Sequence, residues 1–444
     1  KNMYFSNFFN LIKNNLRFRE NVNYHSFNFI SKIFVQILFP PLMIFIWGAE
    51  NYGIWIMIIS LGALFIGINF NLTEVVRLEM TKAYKASKKI VLNELISNLF
   101  FSHTINICLY ILIALIFYNV ISIDEIRKLT SLSIYDIRYI FTFIFFSFLL
   151  ENIINYFYPV ITFKGYTKIW VHQNTLFLFY SRILILIGFV FNDFKYLSLI
   201  YFISNLVRFL IMLFFFIKEK ENLKITLQDF SIIKTHDIFK KSISYSFEKI
   251  NASINQNFII LLIGNFFSPS VVALITTART MFSNLPSNVY DVIFSPALIE
   301  FVSIKNLNPE KIIKKLLILL KPILFTSLLF IIFSYFFGEM IYGYWITDSQ
   351  LEITKLFIFL LTLESFLTTI LTGLKIPFKS NNNFLFISRI ETLASIFLLI
   401  LALIILPTSN HWIILFMISN SLLLIISILF IFNYKNYLFK LNDE

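Results

Sequence analysis

Apolar residues in this chain neither alternate nor recur only at helical spacing; they run on. A membrane-spanning helix needs about 20 consecutive apolar residues, and about twelve stretches reach that length by this rule. They lie near 27–47, 53–73, 94–118, 139–163, 169–191, 196–217, 242–265, 270–296, 316–338, 353–374, 384–406 and 412–433. Strands of a transmembrane barrel alternate apolar and polar residues over about ten positions, so the continuous runs predict an all-α integral membrane protein. The longest charged break, 218–241, leaves six runs on either side.

The pattern restarts after that break. In each half a polar-faced helix leads into a short turn, Gly48-Ala49-Glu50-Asn51-Tyr52-Gly53 in the first and Gly264-Asn265-Phe266-Phe267-Ser268-Pro269 in the second, and another polar-faced helix follows. This weak repeat predicts two pseudo-symmetric six-helix lobes, 1–217 and 242–434, with a cytoplasmic linker at 218–241 and a cytoplasmic tail at 435–444. Six spans return the chain to one side, so the halves would be parallel repeats, as in many secondary transporters. Lysines and arginines crowd the breaks around 77–89, 164–168, 218–241 and 305–315, while the alternate breaks carry Arg127, Lys128, Arg138 and Lys195. By the positive-inside rule both termini are cytoplasmic.

Composition agrees: 58% of the 444 residues are hydrophobic and 14% charged. The formal charge of +12 is scattered between spans rather than gathered on one basic face, which argues for topology and against nucleic acid as a partner. Residues 1–23 are polar and basic, unlike a cleavable signal peptide. The one cysteine, Cys108, is expected to be a small buried apolar residue. Breaks on the outer side are short, which disfavours a polysaccharide polymerase, ligase or glycosyltransferase with an external catalytic domain. No metal-ligand spacing, phosphate loop or nucleophile elbow is present. The histidines His25, His103, His172, His236 and His411 are dispersed and expected at interfaces.

Charge inside the spans carries what chemistry there is, because such residues are costly and usually face a cavity or a partner. On a wheel of about 100° per residue, Thr276, Arg279, Thr280, Ser283, Ser287 and Asp291 share one face of the eighth span. That stripe fits the lining of a cavity; it fits an internal ion pair or helix contact as well. Pro286 permits a bend there. In the seventh span Glu248 and Lys249 are neighbours that point about 100° apart and are not natural partners. Lys32 shares a face with His25, Asn28 and Gln36 in the first span, deep enough to line a cavity and near enough to the inner end to snorkel. In the second span, Asn69, Asn71 and Glu74 lead to Arg77, read as the cytoplasmic boundary. Arg182 and Arg208 fall mid-membrane; they could bind substrate, or one of them could pair with Glu151.

The two six-span halves, the Trp47-Gly48-x-x-x-Tyr52-Gly53 turn, the basic break after the second span and Pro296 closing the eighth resemble the polysaccharide transport family. These are the O-antigen and repeat-unit flippases of the multidrug/oligosaccharidyl-lipid/polysaccharide (MOP) superfamily, related to toxic-compound extrusion (MATE) transporters. The resemblance implies an inner-membrane flippase, not an enzyme, serving polysaccharide or lipopolysaccharide synthesis. Its substrate would be an undecaprenyl-pyrophosphate-linked oligosaccharide, and a polysaccharide polymerase and chain-length machinery would be its partners. Substrate would be held by Arg279, Lys249, Lys32 and Arg182 with Thr276, Thr280 and Ser283. No cofactor is implied beyond a coupling H+ or Na+ at Asp291, Glu248 or Glu364. A cation-coupled multidrug exporter is the alternative, and it would rest on acidic residues.

Overall fold

The computed structural model describes residues 16–67, 72–120, 133–164, 168–189, 193–220, 223–301, 309–348, 351–380, 384–408 and 411–443. Among them every long regular element is a helix. The first half holds α1 (Leu16–Gly67), α2 (Leu72–Lys85), α3 (Lys89–Val120), α4 (Ile134–Thr162), α5 (Lys168–Phe189) and α6 (Phe194–Lys220). The seventh span is α7 (Ile232–Ser253) with α8 (Ile259–Phe266), and the eighth is α9 (Pro269–Arg279) with α10 (Leu285–Phe301). The rest are α11 (Pro309–Trp345), α12 (Lys355–Ser380), α13 (Leu385–Ile405) and α14 (Ile413–Asp443). Each of the twelve expected spans lies mainly on helix, and among the described residues eight helices are long and apolar enough to cross a membrane.

The breaks have local causes. α1 carries the first two spans and turns at Gly48, whose φ of 79° and ψ of 162° lie in a region only glycine adopts readily. The seventh and eighth spans are each interrupted by a π-turn, at Ile254–Phe258 and Thr280–Asn284. The second precedes Pro286, which has no N–H for the helical ladder and clashes with the turn before it, so the expected bend is met by a widened turn.

Contacts divide the chain into two compact units, Leu38–Ala273 and a second of Lys1–Ile37 with Leu274–Glu444. In the first, α4 and α5 pack on α6, and α2 packs on α3, α4 and α7. In the second, α12 is the hub against which α10, α11 and α14 pack. The expected lobe boundary at 218–241 follows chain order, whereas α7 groups by contact with the first half. α7 packs on α2, and the linker before it is stitched to α3. Asn93 Oδ1 accepts from the Lys224 N–H at 3.1 Å, and Ser97 Oγ accepts from the Thr226 N–H at 3.1 Å. Asn98 Oδ1 accepts from both the Ser231 N–H and the Thr235 hydroxyl at 2.9 Å, and Lys234 pairs with Glu94.

The two turns of the repeat also meet within the first unit. A Cβ on Gly53 would run into the carbonyl of Pro269, and one on Gly264 into the Met57 thioether, beside an apolar cluster of Met57, Ile260 and Val272. Cys108 differs from expectation: it is exposed, among exposed Ile105, Leu109 and Leu112. Lipid solvates apolar side chains, so hydrophobicity along a span does not report burial. His103 differs too, being buried and stacked on Tyr156 with ring centroids 5.2 Å apart.

Gly53→Ala is expected to lower the unfolding midpoint of the detergent-solubilised protein more than Gly264→Ala, because a carbonyl cannot yield where a thioether can; equal effects would refute the close approach. Asn98→Ala should leave the Ser231 N–H and the buried Thr235 hydroxyl without their acceptor, costing about 1–3 kcal/mol, and should speed limited proteolysis between 223 and 231. Unchanged cleavage would show the linker to be loose.

Candidate functional site

Arg279 ends α9 where the π-turn begins. A π-turn takes up one extra residue, so the eight steps from Arg279 to Ser287 make close to two full turns and both face α12. Arg279 Nη2 donates to Glu364 Oε1 at 3.3 Å, and its guanidinium lies 5.0 Å from the Phe416 ring of α14. One step along α12, Ser365 shares a 3.3 Å hydrogen bond with Ser287. Both members of the ion pair are largely buried, with side chains 12% and 14% exposed.

Of the two readings open for the eighth span, this part of the stripe is a helix contact. The Thr280 hydroxyl is spent on the Thr276 carbonyl at 2.8 Å, and the half-buried Ser283 offers its carbonyl to Ser287. Two buried atoms near the pair hold no hydrogen bond among the described residues, Thr276 Oγ1 and Glu364 Oε2. Thr276 is one turn from Arg279, so these place an unmet hydroxyl and an unmet carboxylate oxygen close to the same guanidinium. From the first span Gln36 Oε1 accepts from Asn288 Nδ2 at 3.2 Å. The side chain of Asp291 lies outside the described residues, as do Asn69 and Asn71.

The other bases behave differently. Lys32 is half-buried and Lys249 exposed, and among the described residues neither makes an ion pair. Arg182 sits 4.9 Å from the Phe39 ring, again with no carboxylate in ion-pairing distance among the described residues. Arg208, not Arg182, takes Glu151: Nη1 lies 4.0 Å from Oε1, while Nη2 donates to Asn174 Oδ1 at 2.7 Å. Glu248 is half-buried and, with Glu74, Arg77 and Glu79, within electrostatic reach of Tyr245.

Two pairs escaped the sequence reading. Arg77, expected at the cytoplasmic end of the second span, is 4% exposed, donates from Nε to Glu74 Oε2 at 2.9 Å and lies 5.2 Å from the Tyr158 ring. Spacing of three on a helix was the available signal. Lys375 Nζ donates to Glu391 Oε2 at 2.6 Å, both side chains nearly inaccessible. The signal there was the short break between α12 and α13, which sets a base and an acid side by side across a hairpin.

No protein-family model and no curated protein matches the sequence. Solved structures do. A mutant of the Vibrio cholerae MATE transporter VcmN matches with a TM-score of 0.70 at 14% identity over 99% of this chain and 100% of that one. A MOP superfamily transporter from Pyrococcus furiosus, described as having a binding pocket of reverse polarity, matches with a TM-score of 0.71 at 13% identity over 95% and 96%. The eukaryotic MATE transporter AtDTX14 matches at 0.66 and 12% over 96% and 99%. The chain is a multi-pass membrane protein with the fold of MATE and MOP transporters.

Removing one member of a buried pair leaves an uncompensated charge, at about 3–5 kcal/mol, more than removing both. Arg279→Gln and Glu364→Gln should therefore each lower stability, and the double variant should lose less than their sum. Additive losses in denaturant unfolding would show the two side chains to be independent.

Proposed function

We propose that the protein is a lipid-linked oligosaccharide flippase, moving an undecaprenyl-pyrophosphate-linked repeat unit across a bacterial cytoplasmic membrane by alternating access. One observation carries this reading. Four carboxylates of the spans, Glu74, Glu151, Glu364 and Glu391, are each held by a base, whereas Lys32, Arg182 and Lys249 have no carboxylate partner among the described residues. A carrier of cations needs free acidic groups; a carrier of a diphosphate needs free basic ones, which replace lost hydration with charge-assisted hydrogen bonds.

In this reading Lys32, Arg182 and Lys249 contact the pyrophosphate in turn, and the hydroxyls of Thr276, Thr280 and Ser283 serve the sugars. Arg279 enters only when Glu364 lets go. Glu364 already has one oxygen unmet, and a proton arriving there would weaken its hold on Arg279 and add a base to the cargo's path. Proton coupling through Glu364 follows, with Asp291 and Glu248 as the other acids available to H+ or Na+. A polysaccharide polymerase and chain-length machinery would receive the flipped unit, and the protein itself would make and break no covalent bond.

Export of cationic drugs is the second reading, favoured by the MATE transporters that share the fold. Complementation separates the two. In a flippase-deficient strain the wild-type chain should restore surface polysaccharide, Lys32→Gln and Arg182→Gln should each reduce it about tenfold or more, as expected for a lost charge-assisted contact, and neither should alter resistance to cationic dyes. Dye resistance without surface polysaccharide would establish the second reading and overturn the first.

A further inference from the structure

We propose that the first turn of α3 and the linker strapped across it form a binding site for the headgroups of anionic phospholipids, with Lys88, Lys89 and Lys224 at the phosphates and Ile90, Ile232 and Ile233 among the upper acyl chains. On the wheel of α3, Ile90 shares a face with Cys108, Leu112 and Leu115, which are exposed within the span and so meet lipid. Between them the same face carries Asn93, Glu94, Ser97 and Phe101, and there the linker lies over it. The N–H groups of Lys224 and Thr226 donate to Asn93 Oδ1 and Ser97 Oγ at 3.1 Å, Lys234 pairs with Glu94, and the Phe230 ring is 4.9 Å from that of Phe101. What the linker exposes therefore continues a lipid-facing stripe. From Ile90 to Leu115 the stripe rises about 38 Å, more than the roughly 30 Å hydrocarbon core and within the roughly 40–45 Å that includes the headgroups. Its first turn thus falls at headgroup level.

The exposed surface there is apolar and basic. Ile90, Ile232 and Ile233 are 74%, 76% and 82% exposed. Ile232 and Ile233 lie between Ser231, whose N–H donates to Asn98 Oδ1 at 2.9 Å, and Lys234, whose partner Glu94 is one turn from Ile90. The three isoleucines are held together by those contacts, while Thr235 and Ile238 turn inward and are buried. Lys88, Lys89 and Lys224 are exposed and in no ion pair among the described residues. Lys88 and Lys89 also stand at the positive end of α3, where a base is disfavoured unless an anion is near. The neighbouring acids are engaged: Glu94 with Lys234, Asp237 with Lys241 at 3.0 Å, and half-buried Asp229, whose Oδ2 accepts from the Thr226 hydroxyl at 2.6 Å. Bare isoleucine beside uncompensated lysine is unfavourable in water and complements an anionic leaflet, where acyl chains meet phosphates.

The site stands whichever cargo the protein carries. Its first test is thermal unfolding of the purified full-length protein in detergent, titrated with phosphatidylglycerol or with phosphatidylcholine. Phosphatidylglycerol should raise the wild-type midpoint at lower concentration, and the difference should shrink with added salt. Its apparent affinity should fall about fivefold in each of Lys88→Gln, Lys89→Gln and Lys224→Gln, whereas Arg389→Gln, at an exposed base of α13, should match wild type. No preference for phosphatidylglycerol in wild type, or an unchanged preference with all three lysines replaced, overturns the site.

The apolar half is read separately. In a Cys108→Ser background, Ile233→Cys carrying an environment-sensitive fluorophore is placed in nanodiscs of mixed phosphatidylcholine and phosphatidylglycerol. Lipids spin-labelled high on the acyl chain should quench it, and acrylamide should not. Quenching by acrylamide alone would put Ile233 in water, and shielding from both quenchers would put a protein segment over it; either result overturns the lipid site.

Discussion

A charge inside a bilayer must be answered, at a cost of about 3 kcal/mol or more on insertion scales if it is not, and the interior of this protein is arranged by how each charge is answered. Arg77 with Glu74, Arg208 with Glu151, Arg279 with Glu364 and Lys375 with Glu391 answer one another. Aromatic faces support three of these bases, the rings of Tyr158, Phe177 and Phe416 lying about 5 Å from the guanidiniums. Among the described residues Lys32, Arg182 and Lys249 are in no ion pair. Three of these pairs join different helices, while Arg77 and Glu74 share α2; in the proposed function the unpaired bases are left for the cargo.

The helices serve that division. α12 packs against α10, α11 and α14 and presents Glu364 and Ser365 in succession to the eighth span. The π-turn at Thr280–Asn284 brings Arg279 and Ser287 into line with them; on a regular α-helix the two would point about 80° apart. An element that looks like a defect in the helix therefore makes the contact possible.

Much of this fold was legible because a bilayer asks for long apolar runs and little else. All twelve spans, the Gly48 turn and the bend near Pro286 follow from run length and the backbone chemistry of glycine and proline. What was not legible depends on partners. Cys108 sits in an apolar run and is exposed because lipid is apolar too. Nothing in the run of residues around Arg77 announces that Glu74 and Tyr158 enclose it. The wheel that grouped Thr276 with Asp291 assumed one helical period, and the π-turn breaks it. The linker is held to α3 by Asn98, whose bonds to Asp229, Ser231 and Thr235 no periodicity announces. Of the candidate site, the residue types were readable and their pairing was not. Arg279 stood out as the strongest single base, and the structure gives it to Glu364 while leaving Lys32, Arg182 and Lys249 in no ion pair among the described residues.

The central claim is that surplus positive charge within the spans selects an anionic cargo. It is tested most directly by the unfolding temperature of the purified protein in lipid nanodiscs with three added ligands: undecaprenyl pyrophosphate, undecaprenol, and tetraphenylphosphonium. Stabilisation by the pyrophosphate lipid, weak or absent with the neutral alcohol and with the cation, is the predicted result. Stabilisation by tetraphenylphosphonium with none from the pyrophosphate lipid would contradict it.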